Sequence, residues 1–252
     1  MKRAITAFVL ILVFSLALHA EDMQKYLSDT EALARDGKYQ EALERFLWFH
    51  DHVLEHEPAM YGVRLSFALS SWKALGDVYP PALAAFKKTR DEKTELLIQK
   101  KGSYHLFHDV QSLNETLEED ARTVELFRTL DREQPDLAKE CWQAAQDAVI
   151  AGKNYDLAKK YIGDLVLGWN KVKNYYETQK DMYDDARVGK TVKKYNEQSF
   201  IKKSLQLIEV ALALDDMKTA KEIQAKSIAT INDARLKNAM PQEKKGGILP
   251  RK

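Results

Sequence analysis

Residues 37–46 read Gly-Lys-Tyr-Gln-Glu-Ala-Leu-Glu-Arg-Phe, and this run decides the fold. Its tyrosine, alanine and phenylalanine follow one another at steps of three and four residues, which places them on one face of a helix. The alanine matters because packed helices lie roughly 8–10 Å apart and leave little room for a large side chain. The glycine in front of this face marks a turn from a preceding helix. The run therefore predicts the turn and the second helix of a helical hairpin.

Apolar residues keep the same helical spacing on both sides of this run. The upstream set comprises Met23, Tyr26, Leu27, Leu33 and Ala34, and the downstream set continues through Leu47, Phe49, Val53 and Leu54. Nowhere does the chain show the period-two alternation between turn signals that is typical of half-buried strands. The sequence therefore predicts an all-α fold.

The pattern of residues 37–46 recurs along the chain with changes in spacing and in residue type. The two stronger copies comprise Gly76, Tyr79, Ala82 and Phe86, and then Gly152, Tyr155, Ala158 and Ile162. Weaker copies centre on Ala121 and Ala220. The first four alanines, at positions 42, 82, 121 and 158, are separated by 40, 39 and 37 residues, about one hairpin each. A repeat of this length indicates stacked helical units that share one core.

These phrases resemble the tetratricopeptide repeat, in which antiparallel helical hairpins stack into a right-handed superhelix. The resemblance covers about residues 22–165 and, more loosely, residues 197–235. We expect the repeats to fill 21–165, and 166–238 to form a long helix rich in lysine and tyrosine followed by a closing helical pair. It implies that the repeated Gly, Tyr, Ala and bulky positions are packing anchors, beginning with Gly37, Tyr39, Ala42 and Phe46. It also implies a concave surface, lined by first helices, that binds an unidentified protein or peptide. Arg64, Lys73 and Lys139 fall on these first helices.

The first 20 residues have the composition of a cleaved secretory signal peptide. Lys2 and Arg3 supply a basic start, residues 8–18 are almost wholly apolar, and Ala20 offers a small residue at the cleavage point. The apolar run is about a dozen residues, whereas spanning a bilayer takes roughly 20. We therefore expect a secreted or periplasmic protein with no stable membrane insertion after cleavage.

Charge and cysteine usage narrow the function further. The chain has 39 basic and 38 acidic residues, and two of the basic ones lie in the predicted signal peptide, so the mature net charge is −1. This balance argues against nucleic acid, which requires a basic surface. Cys141 is the only cysteine, so no internal disulfide can form. It stands beside Trp142 in an apolar helical stretch, where we expect a buried, inert thiol.

Residues 52–56, His-Val-Leu-Glu-His, match the string of inverted zinc peptidases. Histidines four apart share a helix face and can bind one zinc, while the neighbouring Glu55 could act as general base. Glu125 or Glu133 could complete the ligands. That family is built on a mixed α/β domain, however, and this chain offers no strands. The favoured interpretation is that His52 and His56 are partly exposed at a helix C-terminus, with no cofactor, no metal and no catalytic residues.

A third hypothesis concerns the lysine- and tyrosine-rich segment 171–195, which could bind an anion or a glycan. We expect a helix here to about Ala186 and a break at Gly189. The alternating residues are Lys171, Lys173, Tyr175, Tyr176, Lys180, Tyr183, Lys190, Lys193, Lys194 and Tyr195. The commoner interpretation is a solvated helix face. Residues 239–252 have the composition of a disordered basic tail.

Overall fold

The computed structural model describes residues 23–180, 183 and 189–241. Helices account for most of this part of the chain, and it contains no strand. The prediction of an all-α fold is confirmed. The predicted signal peptide lies outside the described residues, as do residues 242–252 of the predicted tail.

Thirteen α-helices follow one another through the described residues, with one 3-10 helix at Pro58–Met60. They are α1 (residues 23–35), α2 (Tyr39–His56), α3 (Tyr61–Arg64), α4 (Phe67–Val78), α5 (Pro80–Ile98), α6 (Tyr104–Thr116), α7 (Asp120–Glu133), α8 (Pro135–Ala151), α9 (Tyr155–Ile162), α10 (Leu165–Thr178), α11 (Gly189–Ala213), α12 (Met217–Thr230) and α13 (Ala234–Lys237).

The chain forms two compact units, Met1–Ala145 and Gln146–Lys252. In the first unit, α4 packs on α5, α5 on α6, and α6 on α7. Helix α4 also contacts both α2 and α6. A continuous apolar core joins α1, α2, α4, α5 and α6, and its largest members are Phe46, Phe49, Trp72 and Phe86. Neighbouring hairpins in this unit therefore share one core.

The second unit is organised around α11, which packs against both α10 and α12. The carboxylate of Asp147 accepts hydrogen bonds from Lys202 at 2.6 Å, from Lys203, and from Gln206 at 3.0 Å. Burial alone would raise the pKa of Asp147, but these partners outweigh it and hold the pKa at about 2. The cluster ties the end of α8 to α11.

One predicted boundary in this unit is wrong. Helix α10 ends at Thr178 instead of continuing to Ala186, and Gly189 is the first residue of α11. The Thr178 hydroxyl donates to the backbone carbonyl of Tyr175 at 2.9 Å. Such side-chain bonding to a preceding carbonyl competes with the helical hydrogen-bond ladder.

Four helix pairs are joined by the same turn: α1–α2, α6–α7, α8–α9 and α11–α12. Each turn holds one residue in the left-handed region, namely Gly37, Glu118, Lys153 and Asp215, with φ of 78°, 58°, 58° and 58°. In each, the next amide donates to the carbonyl five residues before it, which satisfies a free carbonyl at the helix end. Five residues after each left-handed residue lies a buried small residue, in order Ala42, Thr123, Ala158 and Ala220.

This turn corrects three sequence-based assignments. Ala121 is exposed, and Thr123 occupies the buried position in its hairpin. Lys153, not Gly152, takes the left-handed conformation. Gly76 does not end a helix but lies inside α4, where an added Cβ would come within 3.1 Å of the Leu83 Cβ. Its role is to let α4 and α5 approach closely, and Tyr79 makes the turn between them in extended conformation.

The remaining anchor residues take three kinds of environment. The buried anchors are Ala42, Phe46, Ala82, Phe86 and Ala158. The half-buried anchors are Tyr39, Tyr79, Tyr155 and Ile162, and Gly37 is exposed in its turn. The rings of Tyr39 and Tyr79 lie 5.7 Å apart, and the Tyr79 hydroxyl donates to Gln40 at 2.8 Å. The corresponding tyrosine of the later hairpin, Tyr155, donates to Glu209 at 2.8 Å.

The buried alanines predict the effect of an enlarged side chain. Ala42→Trp and Ala158→Trp should each lower the free energy of unfolding by roughly 1–3 kcal/mol, because the new ring has no space between the helices. Thermal and urea unfolding of each variant measures this. Ala84→Trp, at an exposed position on α5, is the matched control and should leave stability unchanged. Parent-like melting of both buried variants would show that these residues do not lie at helix contacts.

The left-handed turns predict a gain in stability. Lys153→Gly should raise the free energy of unfolding by about 0.5–1 kcal/mol, because glycine adopts a positive φ without steric cost, although it loses more chain entropy. Lys139→Gly, within α8, should instead cost about 1 kcal/mol. Denaturant midpoints of the two variants test the assignment, which would be contradicted if both moved in the same direction.

Candidate functional site

Helix α4 exposes one face that carries large apolar side chains at both ends. Phe67 is 71% exposed and Val78 is 62% exposed. Ser71 and Ala74 lie between them at steps of four, three and four residues, so the four side chains share that face. Phe67 and Val78 lie about three helical turns apart, so the small side chains between them divide the exposed apolar area of this face.

A groove with a volume of 330 Å³ runs along one side of this face, between α4 and α1. It is lined by Glu31, Ala34 and Arg35 of α1, by Ser71, Ala74, Leu75 and Val78 of α4, and by Phe46 of α2. The Ser71 hydroxyl donates to the Glu31 carboxylate at 2.6 Å and so joins the two walls. The groove thus has an apolar base and a charged edge.

A second groove, of 450 Å³, runs along the other side of α4, next to α6. It is lined by Leu65, Ser66, Ser70, Lys73, Ala74, Asp77, Ser112, Glu115 and Thr116. Ala74 lines both grooves, so they form one surface, which together with Phe67 we call the α4 surface. Lys73 pairs with Asp77, and Gln111 donates to Glu115 at 2.9 Å. A small or apolar centre with a polar rim is the usual anatomy of a protein interface.

A buried polar cluster joins four helices that pack against α4. The two terminal nitrogens of Arg64 donate to the two carboxylate oxygens of Asp109, and one of them also donates to the backbone carbonyl of His50 at 3.1 Å. Lys93 donates to Asp109 at 3.0 Å. Arg64, Asp109 and His50 are only 4%, 5% and 3% exposed. The cluster therefore connects α2, α3, α5 and α6.

This environment shifts two titrating groups. Burial, reinforced by the charges of Arg64 and Lys93 and opposed by that of Asp109, lowers the pKa of His50 to about 3. Burial alone would raise the pKa of Asp109, but its hydrogen bonds and charge contacts with Arg64 and Lys93 hold the pKa below its usual value. At neutral pH the cluster therefore holds a neutral histidine and an ionised carboxylate.

The structure does not bring the three predicted first-helix cations together. Lys73 lines the α4 surface, whereas Arg64 lies on α3 and donates its hydrogen bonds within the buried cluster. Lys139 is exposed on α8 and pairs with Asp136 at 3.0 Å. Sequence spacing could not reveal this, because Asp109 lies 45 residues from Arg64 along the chain.

The histidines of the zinc-peptidase string lie on the outside of α2. The Nδ1 atom of His52 is 3.2 Å from the Glu55 carboxylate, and the rings of His52 and His56 lie 5.7 and 5.3 Å from the Trp48 ring. Within residues 23–180, 183 and 189–241, no group of three or more His, Cys, Asp or Glu side chains is placed to bind a metal ion. The structure therefore does not bring Glu125 or Glu133 to this string.

Cys141 lies in α8 and is fully buried. Burial raises the pKa of its thiol to about 12, so the reactive thiolate is scarce at neutral pH. This environment agrees with an inert packing residue.

The lysine- and tyrosine-rich segment contributes to a groove in the second unit. Lys173 and Lys180 line this groove together with Lys226, which lies on α12. Tyr175 and Tyr195 are exposed. Lys226 lies far outside the predicted segment 171–195, and no sequence signal joined it to the other two lysines.

Comparison of the chain with family models, curated proteins and solved structures finds no match. Among the helices that the structure describes, none has the length and apolar character needed to cross a lipid bilayer.

Proposed function

We propose that this protein is an exported, non-catalytic scaffold of the tetratricopeptide type, and that its α4 surface binds a segment of a protein or peptide partner. Helices α1, α4 and α6 take the place of first helices in three successive hairpins, and both grooves of the α4 surface open between them. Stacked hairpins of this kind present their first helices as an extended binding face.

The exposure of Phe67 and Val78 on one face of α4 is the observation that carries this proposal. Between them, the small side chains of Ser70, Ser71 and Ala74 project little from the helix, so that a partner backbone can approach closely. The groove beside α1 ends in Leu75 and Val78 and can accept an apolar side chain, while Lys73, Asp77 and Glu115 offer polar contacts at the rim. Burial of such a centre supplies affinity, and the rim supplies orientation.

On the expectation that residues 1–20 are a signal peptide, we propose that this binding takes place outside the cytoplasm, in a periplasm or beyond the cell. The partner would accordingly be another exported protein or a peptide segment of one. The lone, buried Cys141 is compatible with an oxidising compartment, since it neither needs nor offers a disulfide partner.

A matched pair of arginine substitutions tests the proposal. Ala74→Arg fills the centre of the α4 surface and should weaken partner binding at least about tenfold, the equivalent of about 1.4 kcal/mol. Ala84→Arg makes the same chemical change at an exposed position of α5 and should leave binding unchanged. Residues 21–252 would serve as bait in a cross-linked pull-down from envelope extract, followed by affinity measurement with the purified partner.

The same pull-down separates this function from the zinc-peptidase alternative. Equal binding by the two arginine variants would show that the α4 surface does not bind the partner. No partner together with one tightly bound zinc per chain would contradict the scaffold function and make His52, Glu55 and His56 the residues to test.

A further inference from the structure

A polar groove of 820 Å³ lies between α10 and α12 in the second unit, and we call it the α10–α12 groove. It is lined by Trp169, Asn170, Lys173, Asn174, Glu177, Lys180, Lys226, Ala229 and Thr230. Three amines, two carboxamides and one hydroxyl therefore surround a single carboxylate. Its polar groups come from α10, from Lys180 just after α10, and from α12, which lies far from them in the chain.

Contacts with neighbouring side chains hold the three amines near the groove. Lys173 pairs with Glu177 at 3.3 Å, and Lys226 pairs with Glu222 at 2.7 Å while lying 5.8 Å from the centre of the Trp169 ring. Lys180 lies 5.1 Å from the centre of the Tyr176 ring. The side chains of Lys173 and Lys226 are 37% and 40% exposed, so both amines can still reach a ligand. The lining thus favours a ligand with negative charge.

The neutral groups of the groove favour a ligand that also carries hydroxyl groups. Asn170 and Asn174 make no hydrogen bond to any residue that the structure describes, so both carboxamides can donate and accept. The Thr230 hydroxyl donates to the Lys226 carbonyl at 3.0 Å and keeps its lone pairs for a donor. Glu177 can accept from a hydroxyl group. A ligand made only of anionic groups could accept from the carboxamide N–H groups, but it would leave their carbonyl oxygens and the Glu177 carboxylate without a donor.

The aromatic residues at the groove argue against single-stranded nucleic acid. Trp169 is 3% exposed, and its indole N–H already donates to the Ser227 hydroxyl at 2.8 Å. The adjoining Tyr176 is buried as well. Proteins that bind single strands stack bases on exposed rings, and none of the residues lining this groove offers one.

We infer that the α10–α12 groove binds an acid-bearing saccharide, with Lys173, Lys180 and Lys226 facing its acidic groups and Asn170 and Asn174 facing its hydroxyl groups. This activity is independent of the α4 surface. It restricts the ligand of the anion-or-glycan hypothesis to acid-bearing saccharides. It also replaces the segment 171–195 as the binding site by residues of α10 and α12 together with Lys180.

Calorimetric titration of the purified protein with defined oligomers tests the inference. A heparin hexasaccharide carries sulfates and carboxylates, hexagalacturonate carries carboxylates alone, and maltohexaose is neutral. We expect the first or the second to bind and maltohexaose to bind at least about tenfold more weakly. The preferred oligomer identifies the acid group. Oligothymidylate of equal charge should also bind at least about tenfold more weakly than the preferred saccharide.

Two kinds of variant distinguish a saccharide site from general attraction between charges. Lys173→Gln with Lys226→Gln should weaken binding about tenfold or more, whereas Lys171→Gln with Lys221→Gln, on the same two helices but outside the groove, should change it less than about threefold. Asn170→Ala with Asn174→Ala leaves the charge unchanged and should still weaken binding about tenfold.

Four results would overturn the inference. Three are the absence of binding to either acidic saccharide, equal or tighter binding of oligothymidylate, and equal losses in the groove and control lysine variants. The fourth is binding that survives the double asparagine substitution, which would show that only charge is recognised. Circular dichroism of each variant verifies that the helices are intact.

Discussion

Asp109→Asn should lower the free energy of unfolding by about 3–5 kcal/mol, the largest effect of a single substitution that we expect in this protein. The change keeps the shape of the side chain but removes the charge that neutralises Arg64, which is 4% exposed, and Lys93. A buried guanidinium without its carboxylate bears the full desolvation penalty. The loss should appear as a lower urea midpoint with an unchanged slope.

An exposed ion pair provides the control for this substitution. Asp136→Asn removes the partner of Lys139 at the surface and should change stability by less than about 1 kcal/mol. Replacing both buried partners, Arg64→Met with Asp109→Leu, should recover much of the loss, because no uncompensated charge remains between them. A small effect of Asp109→Asn would mean that the cluster is hydrated and does not hold α2, α3, α5 and α6 together.

Acidification should destabilise the protein through His50, by about 1.4 kcal/mol for each pH unit below about 6.5. The pKa of His50 is lowered to about 3 in the folded chain, while the unfolded chain titrates near the ordinary value of 6.5. Between these two values the unfolded state binds a proton that the folded state does not. Stability from this group is therefore complete above pH 6.5 and is lost as the pH falls towards 3.

The His50→Gln variant isolates this contribution. Urea unfolding from pH 7.5 to 4.5 should show a steep loss of stability in the parent and a shallower one in the variant, which has no titrating group at this position. Asp109 adds a further loss only in stronger acid, since its pKa lies below its usual value. Parallel pH profiles for parent and variant would show that His50 is protonated in the folded state.

The helical pattern predicted the hairpins well but placed some of their residues wrongly. Spacing of three and four residues is a local property, so the helices around residues 37–46 could be read directly. The left-handed residue of each turn was harder to locate, because Glu118, Lys153 and Asp215 adopt a conformation that glycine favours. Because no glycine marked the turn at Glu118, the sequence assigned Ala121 to the buried helix-contact position that Thr123 occupies.

The candidate sites depend on contacts that sequence spacing does not contain. Lys73 could be assigned to a first helix, but the exposure of Phe67 and Val78 depends on which faces of α4 its neighbours cover. Arg64 was assigned to a first helix, and its burial could not be predicted because its partner, Asp109, lies on a later hairpin. In the second unit, Lys226 joins Lys173 and Lys180 only because α12 returns beside α10.

Site-specific photo-crosslinking tests directly whether the α4 surface contacts the partner. A benzophenone amino acid replaces Ala74, at the centre of the α4 surface, or Ala84, exposed on α5, in cells that express the protein. We expect one dominant adduct from position 74 and none from position 84, with the adduct lost when Val78→Asp is added. Adducts of equal yield from both positions, or none from position 74, would contradict this expectation.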